Sequence, residues 1–490
     1  MALGVESAWR CDPQADHLAA ARFLPGVGAG PGGKPRPKSQ TRRYEAEPGS
    51  ARLQRKSEAD MAQDERLKRR MVGMLASRLP EAQLDEVDDP RDARGKRWPL
   101  AALLRAVVVG VAVGCKSLAQ TEALTAEMSP AVRGRLGIRR RIADTTMRDA
   151  LVKVDPKKLR GRLHAQTKAA HRRGALKPDG LPFGVTAMDG KSSTATAWDK
   201  QYAQKQTHSE GQKAAGMVRT VTCSLVSSAA KVCIDAIPIP ARTNEMGHFR
   251  VAFDSLVKAY RKSGLFKMVS YDAGACSVEN GREVVEEKLH YLFGLKGSQP
   301  TLLNEAKAFL GRLGPDQAEA ETIEVESNNR TVTRRLYRTS EMAGYLDWTH
   351  LKTVVRVESE TVENGKVVEH EDRYFISSLA SDLLSAAQWL LVVRRHWGVE
   401  NNCHHTWDTV FEEDDRPWIE KNPQGMVVVM LLRRIAYNML ALFRTVTQRS
   451  EERRHTPWRD IVRWLYQAVI AATNEDVDGL RSREVSAVVS

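Results

Sequence analysis

The pattern of apolar residues changes near residue 180, and this change constrains the fold more than any other feature of the sequence. Before it the pattern is helical; after it come short β-prone runs separated by helical segments. The predicted order from residue 183 to residue 295 is β-β-β-α-β-α-β. The segments are Phe183–Met188, Val218–Ser228, Lys231–Ile239, a helix capped by Thr243 and ending near Lys262, Lys267–Tyr271, a helix opened by Asn280, and His290–Leu295. This alternation predicts an α/β fold with a mixed sheet.

A second β-rich stretch interrupts the pattern before the chain returns to helices. Its four predicted strands are Ile323–Glu326, Thr331–Arg338, Thr353–Glu358 and Lys366–His370. Asn364-Gly365 predicts a two-residue hairpin turn between the last two. From Ser381 a long helix is predicted to run through Glu400, and two further helices are predicted at Gln424–Val446 and Trp458–Ala472.

The N-terminal third is predicted to be helical and basic. Leu100–Gly114 is almost wholly apolar and predicts a buried helix. Ile142–Val154 predicts a shorter helix with Asp144 or Thr145 as its N-cap, and Pro156 either ends it or opens the next helix. This helix pair is compatible both with a DNA-reading helix-turn-helix and with a purely structural role.

These patterns divide the chain into six predicted parts. They are a disordered basic tail (1–62), a helical basic N-terminal domain that binds DNA (63–178), the first part of the core (179–299), a β-rich insertion (300–379), a glutamate helix with a packing helix (380–446) and a C-terminal helical tail (447–490).

The charge balance indicates a polyanionic partner. The net charge is +14, and residues 131–180 contain fifteen Lys and Arg against four Asp. Such a concentration favours a surface that faces nucleic acid, although an acidic membrane surface or a solvated helix face would also be compatible with it. Within this region Arg139, Arg140 and Arg141 are candidate DNA contacts.

Two apolar stretches suggest a membrane span at first sight, but both contain charges. Leu100–Cys115 is short and holds Arg105, and Met426–Phe443 holds Arg433 and Arg434 in its middle. Charged side chains at that depth are costly in a bilayer, so we expect core helices and no membrane partner. The six cysteines include no C-x-x-C pair, and no signal-peptide layout is present. We therefore expect a cytoplasmic protein.

Three acids are candidates for catalysis. Asp189 and Asp272 each follow a predicted strand, and Glu400 lies on the predicted long helix. Three carboxylates at one sheet edge would bind Mg²⁺ or Mn²⁺, and two ions about 4 Å apart can flank a phosphodiester. Each acid also has an ordinary interpretation: Asp189 and Asp272 as turn residues, and Glu400 as a surface carboxylate.

The segment around Glu400 resembles the glutamate motif of bacterial insertion-sequence transposases, in particular the ISAs-type group. It reads R-R-H-W-G-V-E-N-N-C-H-H-T-W-D-T-V-F-E-E-D over residues 394–414. Further pieces resemble the same group in order. They are Asp88-Asp89-Pro90-Arg91 with Gly95-Lys96-Arg97-Trp98-Pro99-Leu100, Asp189-Gly190-Lys191, Asn244-Glu245, Asp272-Ala273, Lys296-Gly297-Ser298-Gln299 and Tyr374-Phe375-Ile376-Ser377-Ser378. Departures from the group's pattern are Trp98, Ser298, Cys403, His405 and Trp407.

The resemblance implies an RNase H-like mixed sheet with a β-rich insertion, and a DDE-type transposase in which Asp189, Asp272 and Glu400 hold two Mg²⁺ or Mn²⁺ ions. The expected activity is cleavage and strand transfer on double-stranded DNA, at transposon ends and target, by a homodimer associated with the bacterial nucleoid. Two alternatives remain: a nuclease with the same acids, and a catalytically inactive DNA-binding relic.

Other residues near these motifs are candidate DNA contacts. They are Lys191, Lys296, Arg394, Arg395 and His396. The ordinary interpretations are solvated loop lysines for the first two, and ion pairs or helix-to-sheet packing for the others. Trp397 fits packing better than base stacking. A zinc site at Cys403-His404-His405 is not favoured because no second ligand cluster is visible in the sequence.

Overall fold

The computed structural model describes residues 58–93, 96–206, 215–326, 329–448 and 450–478. The predicted disordered tail lies outside these residues, except that residues 58–62 already belong to the first helix. Cys115, Cys223, Cys233, Cys276 and Cys403 are buried free thiols, as expected for a chain without a disulfide framework.

Fourteen α-helices and ten β-strands are present in this part of the chain. The helices are α1 Glu58–Arg78, α2 Leu100–Ala112, α3 Leu118–Glu127, α4 Pro130–Arg135, α5 Asp144–Leu151, α6 Pro156–Arg172, α7 Glu245–Tyr260, α8 Val278–Glu286, α9 Pro300–Leu310, α10 Ala386–His396, α11 His405–Thr409, α12 Pro423–Leu442, α13 Glu451–Arg454 and α14 Trp458–Ala471. The strands are β1 Val185–Ala195, β2 Ala203–Gln206, β3 Ala215–Ser224, β4 Cys233–Pro238, β5 Met268–Tyr271, β6 His290–Leu295, β7 Ala320–Val325, β8 Arg330–Thr339, β9 Thr353–Glu363 and β10 Lys366–Ser377.

All ten strands form one mixed sheet, in the order β2-β3-β1-β5-β6-β10-β9-β8-β7 with β4 pairing to β3. Strands β1, β3 and β4 are antiparallel, whereas β5 and β6 run parallel to β1 and are reached through α7 and α8. This is the predicted RNase H-like arrangement. The insertion adds β10, β9, β8 and β7 to the far side of β6, so it extends the catalytic sheet instead of forming a separate one.

The hairpin between β9 and β10 follows the sequence prediction. Asn364 and Gly365 have φ of 51° and 77°, the left-handed conformation that a two-residue turn of this kind requires. Asparagine and glycine adopt it with less strain than other residues.

The predicted starts of three helices differ from the observed ones in the residue that forms the N-cap, whereas the start of a fourth helix, α6, agrees with one of its predicted alternatives. Helix α7 is capped by Asn244 instead of Thr243, because the Asn244 side chain accepts a hydrogen bond from the backbone N–H of Gly247. Helix α8 is capped by Ser277, three residues before the predicted Asn280. Asp144 is the first residue of α5 and not its cap, which is Ala143. Pro156 opens α6, one of the two predicted alternatives.

Helix α12 lies at the centre of the larger apolar core. It packs against α2 and α6, and the α1–α14 pair joins the same core. Among the described helices it alone is long and apolar enough to cross a membrane, and its whole apolar window is buried inside the fold. Arg433 and Arg434, in its middle, are fully buried. The N-terminal helices therefore share a core with the C-terminal ones.

Candidate active site

Register brings Asp189 and Asp272 to the same level of the sheet. Strands β1 and β5 are parallel neighbours in which Ala187 pairs with Ser270, so the two aspartates stand two residues further along each strand. Asp189 lies within β1, whose extent the sequence analysis placed too short. Asp272 directly follows β5 and caps a short 3₁₀ turn, where its Oδ1 accepts a hydrogen bond from the N–H of Gly274 at 2.9 Å.

Like charges converge on Asp189. Burial raises the pKa of the Asp189 carboxyl well above its usual value, and the charges of Glu400, Glu245 and Asp272 raise it further. Asp272 and Glu400 are themselves exposed. The site is thus an open, acidic end of the sheet.

Glu400 reaches this site from a helix that differs from the prediction. Helix α10 begins at Ala386 and not near Ser381, because Ser385 and Gln388 form a capping box. After His396 the helix loosens into a π-helical segment, Val399–His404, that contains Glu400. Such segments occur often at functional sites.

His396 and His404, four residues before and after Glu400, both face the sheet. His396 Nδ1 lies 3.0 Å from Ser270 Oγ on β5, and His404 Nε2 lies 3.0 Å from Thr222 Oγ1 on β3. His404 Nδ1 is also 3.5 Å from Asp189 Oδ2. Burial lowers the pKa of His396 to about 4, so this imidazole is neutral near pH 7 and packs the helix on the sheet.

A second charged cluster joins β1 to the end of the glutamate motif, at Asp408 and Asp414. Lys191 Nζ lies 2.9 Å from Asp408 Oδ1 and 2.9 Å from Asp414 Oδ2, and Ser193 donates to Asp414 at 2.7 Å. The solvated-loop interpretation of Lys191 is wrong, because Lys191 lies on β1 and its side chain is 5% exposed. In the structure its partners are Asp408 and Asp414, and its contact with DNA stays a prediction.

Deeper still, Glu413 is fully buried between two arginines. It forms ion pairs with Arg434 and Arg433, and Arg434 stacks on Trp407 with 3.7 Å to the ring centroid. The arginines that interrupt the apolar pattern of α12 are therefore the counter-ions of the glutamate motif.

Glu245 belongs to the acidic site, although the sequence analysis did not assign it there. It is the first residue of α7, and its Oε1 accepts a hydrogen bond from the hydroxyl of Tyr271 at 2.7 Å. Burial raises the pKa of its carboxyl, which the charge of Asp272 raises as well. The only sequence signal for Glu245 was the resemblance of Asn244-Glu245 to the transposase group, and that resemblance assigned no role to the glutamate.

The other predicted DNA contacts have different surroundings. Arg394 pairs with Glu324, and Arg395 pairs with Asp179 at 3.0 Å and donates to the carbonyl of Ser227, as in the ion-pair interpretation. Lys296 is exposed directly after β6.

Among the three N-terminal arginines, Arg140 stacks on Trp98 at 4.7 Å and Arg141 pairs with Glu122. Arg139, Arg140 and Arg141 are all exposed. Trp397 packs edge-on against Phe375 at 5.8 Å, as the packing interpretation expects.

A basic pocket that the sequence did not indicate adjoins Glu245. It has a volume of about 380 Å³ and is lined by Gln204, Arg219, Arg242, Thr243 and Asn244. Arg219 donates to the carbonyl of Thr243 and to Gln204, at 2.5 and 2.7 Å, whereas Arg242 is exposed. Its position at the acidic site suits it to a phosphate group.

The donor set fits hard divalent cations. Asp189, Asp272 and Glu400 provide only oxygen ligands, which Mg²⁺ and Mn²⁺ prefer, and a cation would relieve the repulsion that adds to the effect of burial on the pKa of Asp189. Within the described ranges, no three acidic, histidine or cysteine side chains already form an assembled set of metal ligands. Cys403, His404 and His405 are among these side chains, and Cys403 is buried against Ser224.

The sheet order and the acidic site describe the fold and its open end, and comparison with known proteins gives the family. The model described as "Transposase DDE domain" matches residues 181–439, more than half of the chain, and the model described as "DDE_Tnp_1-associated" matches residues 82–165. The chain belongs to the DDE transposase family of bacterial insertion sequences. The matching descriptions name no subgroup, so the ISAs-type assignment stays a prediction.

Two curated relatives match part of the chain, and the name of one of them agrees with this family. The "H repeat-associated putative transposase YhhI" and the "Putative protein YbfL", both of Escherichia coli (strain K12), are each 27% identical over 241 residues. The match covers 47% of this chain and 57% of each relative, so the chain spans little more than half of their length. A piggyBac transposase synaptic complex with hairpin DNA has a TM-score of 0.40 at 12% identity, covering 86% of this chain and 81% of that chain.

Proposed function

We propose that this chain catalyses the metal-dependent cleavage and joining of DNA strands at the ends of an insertion sequence. The observation that supports this most is the convergence of three acids from distant parts of the sequence. Asp189 and Asp272 stand level on adjacent parallel strands, and the charge of Glu400 acts directly on Asp189.

Asp189, Asp272 and Glu400 would hold the metal ions, for which we propose two Mg²⁺ or Mn²⁺. When bound, such a pair activates the attacking water or 3′-hydroxyl and stabilises the leaving oxygen of an in-line displacement. The exposure of Asp272 and Glu400 leaves this end of the sheet open to a DNA strand.

Other side chains would hold the acids and the DNA backbone in place. His404 contacts both Asp189 and Thr222 and so links the glutamate segment to β1 and β3. Lys191 fixes the far end of the same segment through Asp408 and Asp414. Arg242 and Lys296, both exposed, are placed to contact phosphates.

The remaining parts of the proposal concern partners. The basic helices of residues 63–178 would bind double-stranded DNA at the transposon ends, with Arg139, Arg140 and Arg141 among the contacts. We also propose that a homodimer pairs two ends and that the protein acts on the bacterial nucleoid in the cytoplasm. A membrane partner is not proposed, since the apolar helix α12 is buried.

Two assays test this function and separate it from its alternatives. The purified protein is incubated with Mg²⁺ and a duplex that carries the inverted repeats flanking its gene, and then with pre-cut ends and a target plasmid. A transposase nicks the ends and joins pre-cut ends to the target, whereas a nuclease nicks but does not join. An inactive relic binds the duplex and does neither. Asp272→Ala should abolish both reactions and leave DNA binding intact.

A further inference from the structure

We propose that Glu245 is a positioning residue that holds Asp189 and Asp272 at the spacing that metal binding requires. This inference rests on the proposed function, because it concerns the same acidic site. In this role Glu245 contacts neither the DNA nor the metal ions.

The contacts of Glu245 join the two strands that carry the aspartates. Its carboxylate lies directly against Gly190, the residue after Asp189, and leaves no room there for a side chain. Its Oε1 accepts a hydrogen bond from the hydroxyl of Tyr271, the residue before Asp272, at 2.7 Å. One side chain therefore links β1 to β5 at the level of the acids. The pairing of these strands ends two residues earlier, at Ala187 and Ser270.

The absence of a side chain at Gly190 permits this link. A Cβ placed on Gly190 would lie 1.7 Å from Glu245 Oε2, and the three nearest atoms all belong to the Glu245 carboxylate. No rearrangement short of moving the carboxylate would relieve such an overlap. The glycine of the Asp-Gly-Lys motif is thus explained by the close approach of Glu245 and not by a turn, since residue 190 lies within β1.

The start of helix α7 holds Glu245 in place from the other side. Asn244 caps this helix through a 2.8 Å hydrogen bond from Gly247, which fixes the first turn. The positive charge of Arg219 also acts on the Glu245 carboxylate. The Asn244-Glu245 pair is therefore a cap followed by a link to the sheet.

The engagement of the carboxylate favours positioning over direct metal ligation. Its Oε1 is engaged by the Tyr271 hydroxyl and its Oε2 lies against Gly190, so binding a metal ion would cost Glu245 at least part of this link. Residues that orient metal ligands in this way commonly change metal affinity about 10–100-fold when they are removed.

Two substitutions at one position distinguish the roles. Glu245→Gln removes the charge but keeps the packing against Gly190 and an acceptor for the Tyr271 hydroxyl, whereas Glu245→Ala removes the link. Mn²⁺ affinity is measured by titration calorimetry without DNA, and cleavage is measured against metal concentration. We expect Glu245→Ala to weaken Mn²⁺ binding about 10–100-fold, and Glu245→Gln to stay within about threefold of the wild type. Glu279→Gln, an exposed glutamate on α8, is the matched control and should change neither quantity.

A double-mutant cycle with Gly190 and Glu245 tests the contact between these two residues, and it is informative even if one variant folds poorly. Gly190→Ala should reduce Mn²⁺ affinity by expelling the carboxylate, and the double variant Gly190→Ala/Glu245→Ala should be no worse than Glu245→Ala alone. Tyr271→Phe, which keeps the buried ring, should cause a smaller loss. Circular dichroism confirms that each variant is folded.

Three results would overturn the inference. They are unchanged metal affinity in Glu245→Ala, a loss in Glu245→Gln as large as in Glu245→Ala, and additive losses in the Gly190 cycle. The second would assign Glu245 as a direct ligand. A wild-type protein that binds Mn²⁺ but neither nicks nor joins DNA would instead count against the proposed function.

Discussion

The glutamate motif connects two charged clusters that are built in opposite ways. At its start, Glu400 joins Asp189, Asp272 and Glu245: the charges of the other three acids raise the pKa of Asp189, and the charge of Asp272 raises that of Glu245. At its end, Lys191 neutralises Asp408 and Asp414, and Arg433 and Arg434 surround Glu413.

The difference indicates which cluster serves catalysis and which serves folding. Like charges held together destabilise the folded protein until a cation binds, a cost that is retained where function requires it. Buried charges that are paired carry no such requirement, but removing one partner leaves the other without compensation. Substitutions in the two clusters should therefore have opposite effects on stability.

Asp189→Asn should have the largest effect on activity. It removes a proposed metal ligand, so Mg²⁺-dependent nicking should fall on the order of a thousandfold or more. It also removes the charge on which Glu400, Glu245 and Asp272 act, so the metal-free variant should unfold at a higher temperature than the wild type. Nicking assays and thermal unfolding in EDTA measure the two effects, and a lower unfolding temperature would contradict the functional interpretation of this cluster.

The pH dependence of the metal-free protein follows from the same shift. The pKa of Asp189 is raised on folding, so the folded state binds the proton more tightly than the unfolded state does. The contribution of Asp189 to stability should therefore decrease as the pH rises from its unfolded pKa to its folded pKa, and Asp189→Asn should lack this decrease.

Glu413→Gln should have the largest effect on stability. Arg433 and Arg434 would lose their counter-ion while both remain fully buried. Breaking a buried ion pair in this way typically costs about 3–5 kcal/mol of the free energy of unfolding. Urea denaturation measures the loss. An exposed acid directly after the motif, Asp415→Asn, is the control and should change stability little.

The sequence predicted the elements of the site better than their contacts. The order of core strands and the Asn364-Gly365 hairpin follow from short-range patterns, and both are present in the sheet. The roles of Lys191 and Glu245 depend on contacts between residues that are distant in the sequence. Lys191 meets Asp408, 217 positions away, and Glu245 meets Tyr271, 26 positions away. No local pattern contains that information.

Two errors have a common physical cause. Asp189-Gly190 is typical of a turn, but here β1 continues through it because both residues pair with β3, and Glu245 packs against Gly190. Glu400 was placed on a regular helix, whereas tertiary contacts of His396 and His404 with the sheet accompany a π-helical segment. Both departures from local preference occur at the acidic site, where function and propensity often conflict.

Lys191→Met should destabilise the protein in a pH-dependent way. Without the ammonium group, Asp408 and Asp414 would repel each other, and burial already raises the pKa of Asp408 to about 6. An acid with a raised folded pKa loses stability as the pH rises through that value, so the deficit of the variant should be greater at pH 8 than at pH 5. Because both aspartates are a third or more exposed, we expect about 1–2 kcal/mol at pH 8. Urea titrations at the two pH values test this, and an equal deficit at both would contradict it.

Arg242→Ala should have the smallest effect, and it tests whether the pocket beside Glu245 serves the acidic cluster by holding a phosphate. Arg242 is exposed and lies outside both charged clusters, so its removal should leave the free energy of unfolding unchanged. If it contacts one DNA phosphate, the variant should bind DNA more weakly for every sequence, and the slope of log affinity against log salt should decrease by about one. Fluorescence anisotropy at several salt concentrations measures the slope. Arg250→Ala, on the nearby helix α7, is the control, because Arg250 already pairs with Glu283 at 2.7 Å. An unchanged slope would exclude Arg242 and the pocket around it from the proposed DNA-binding surface.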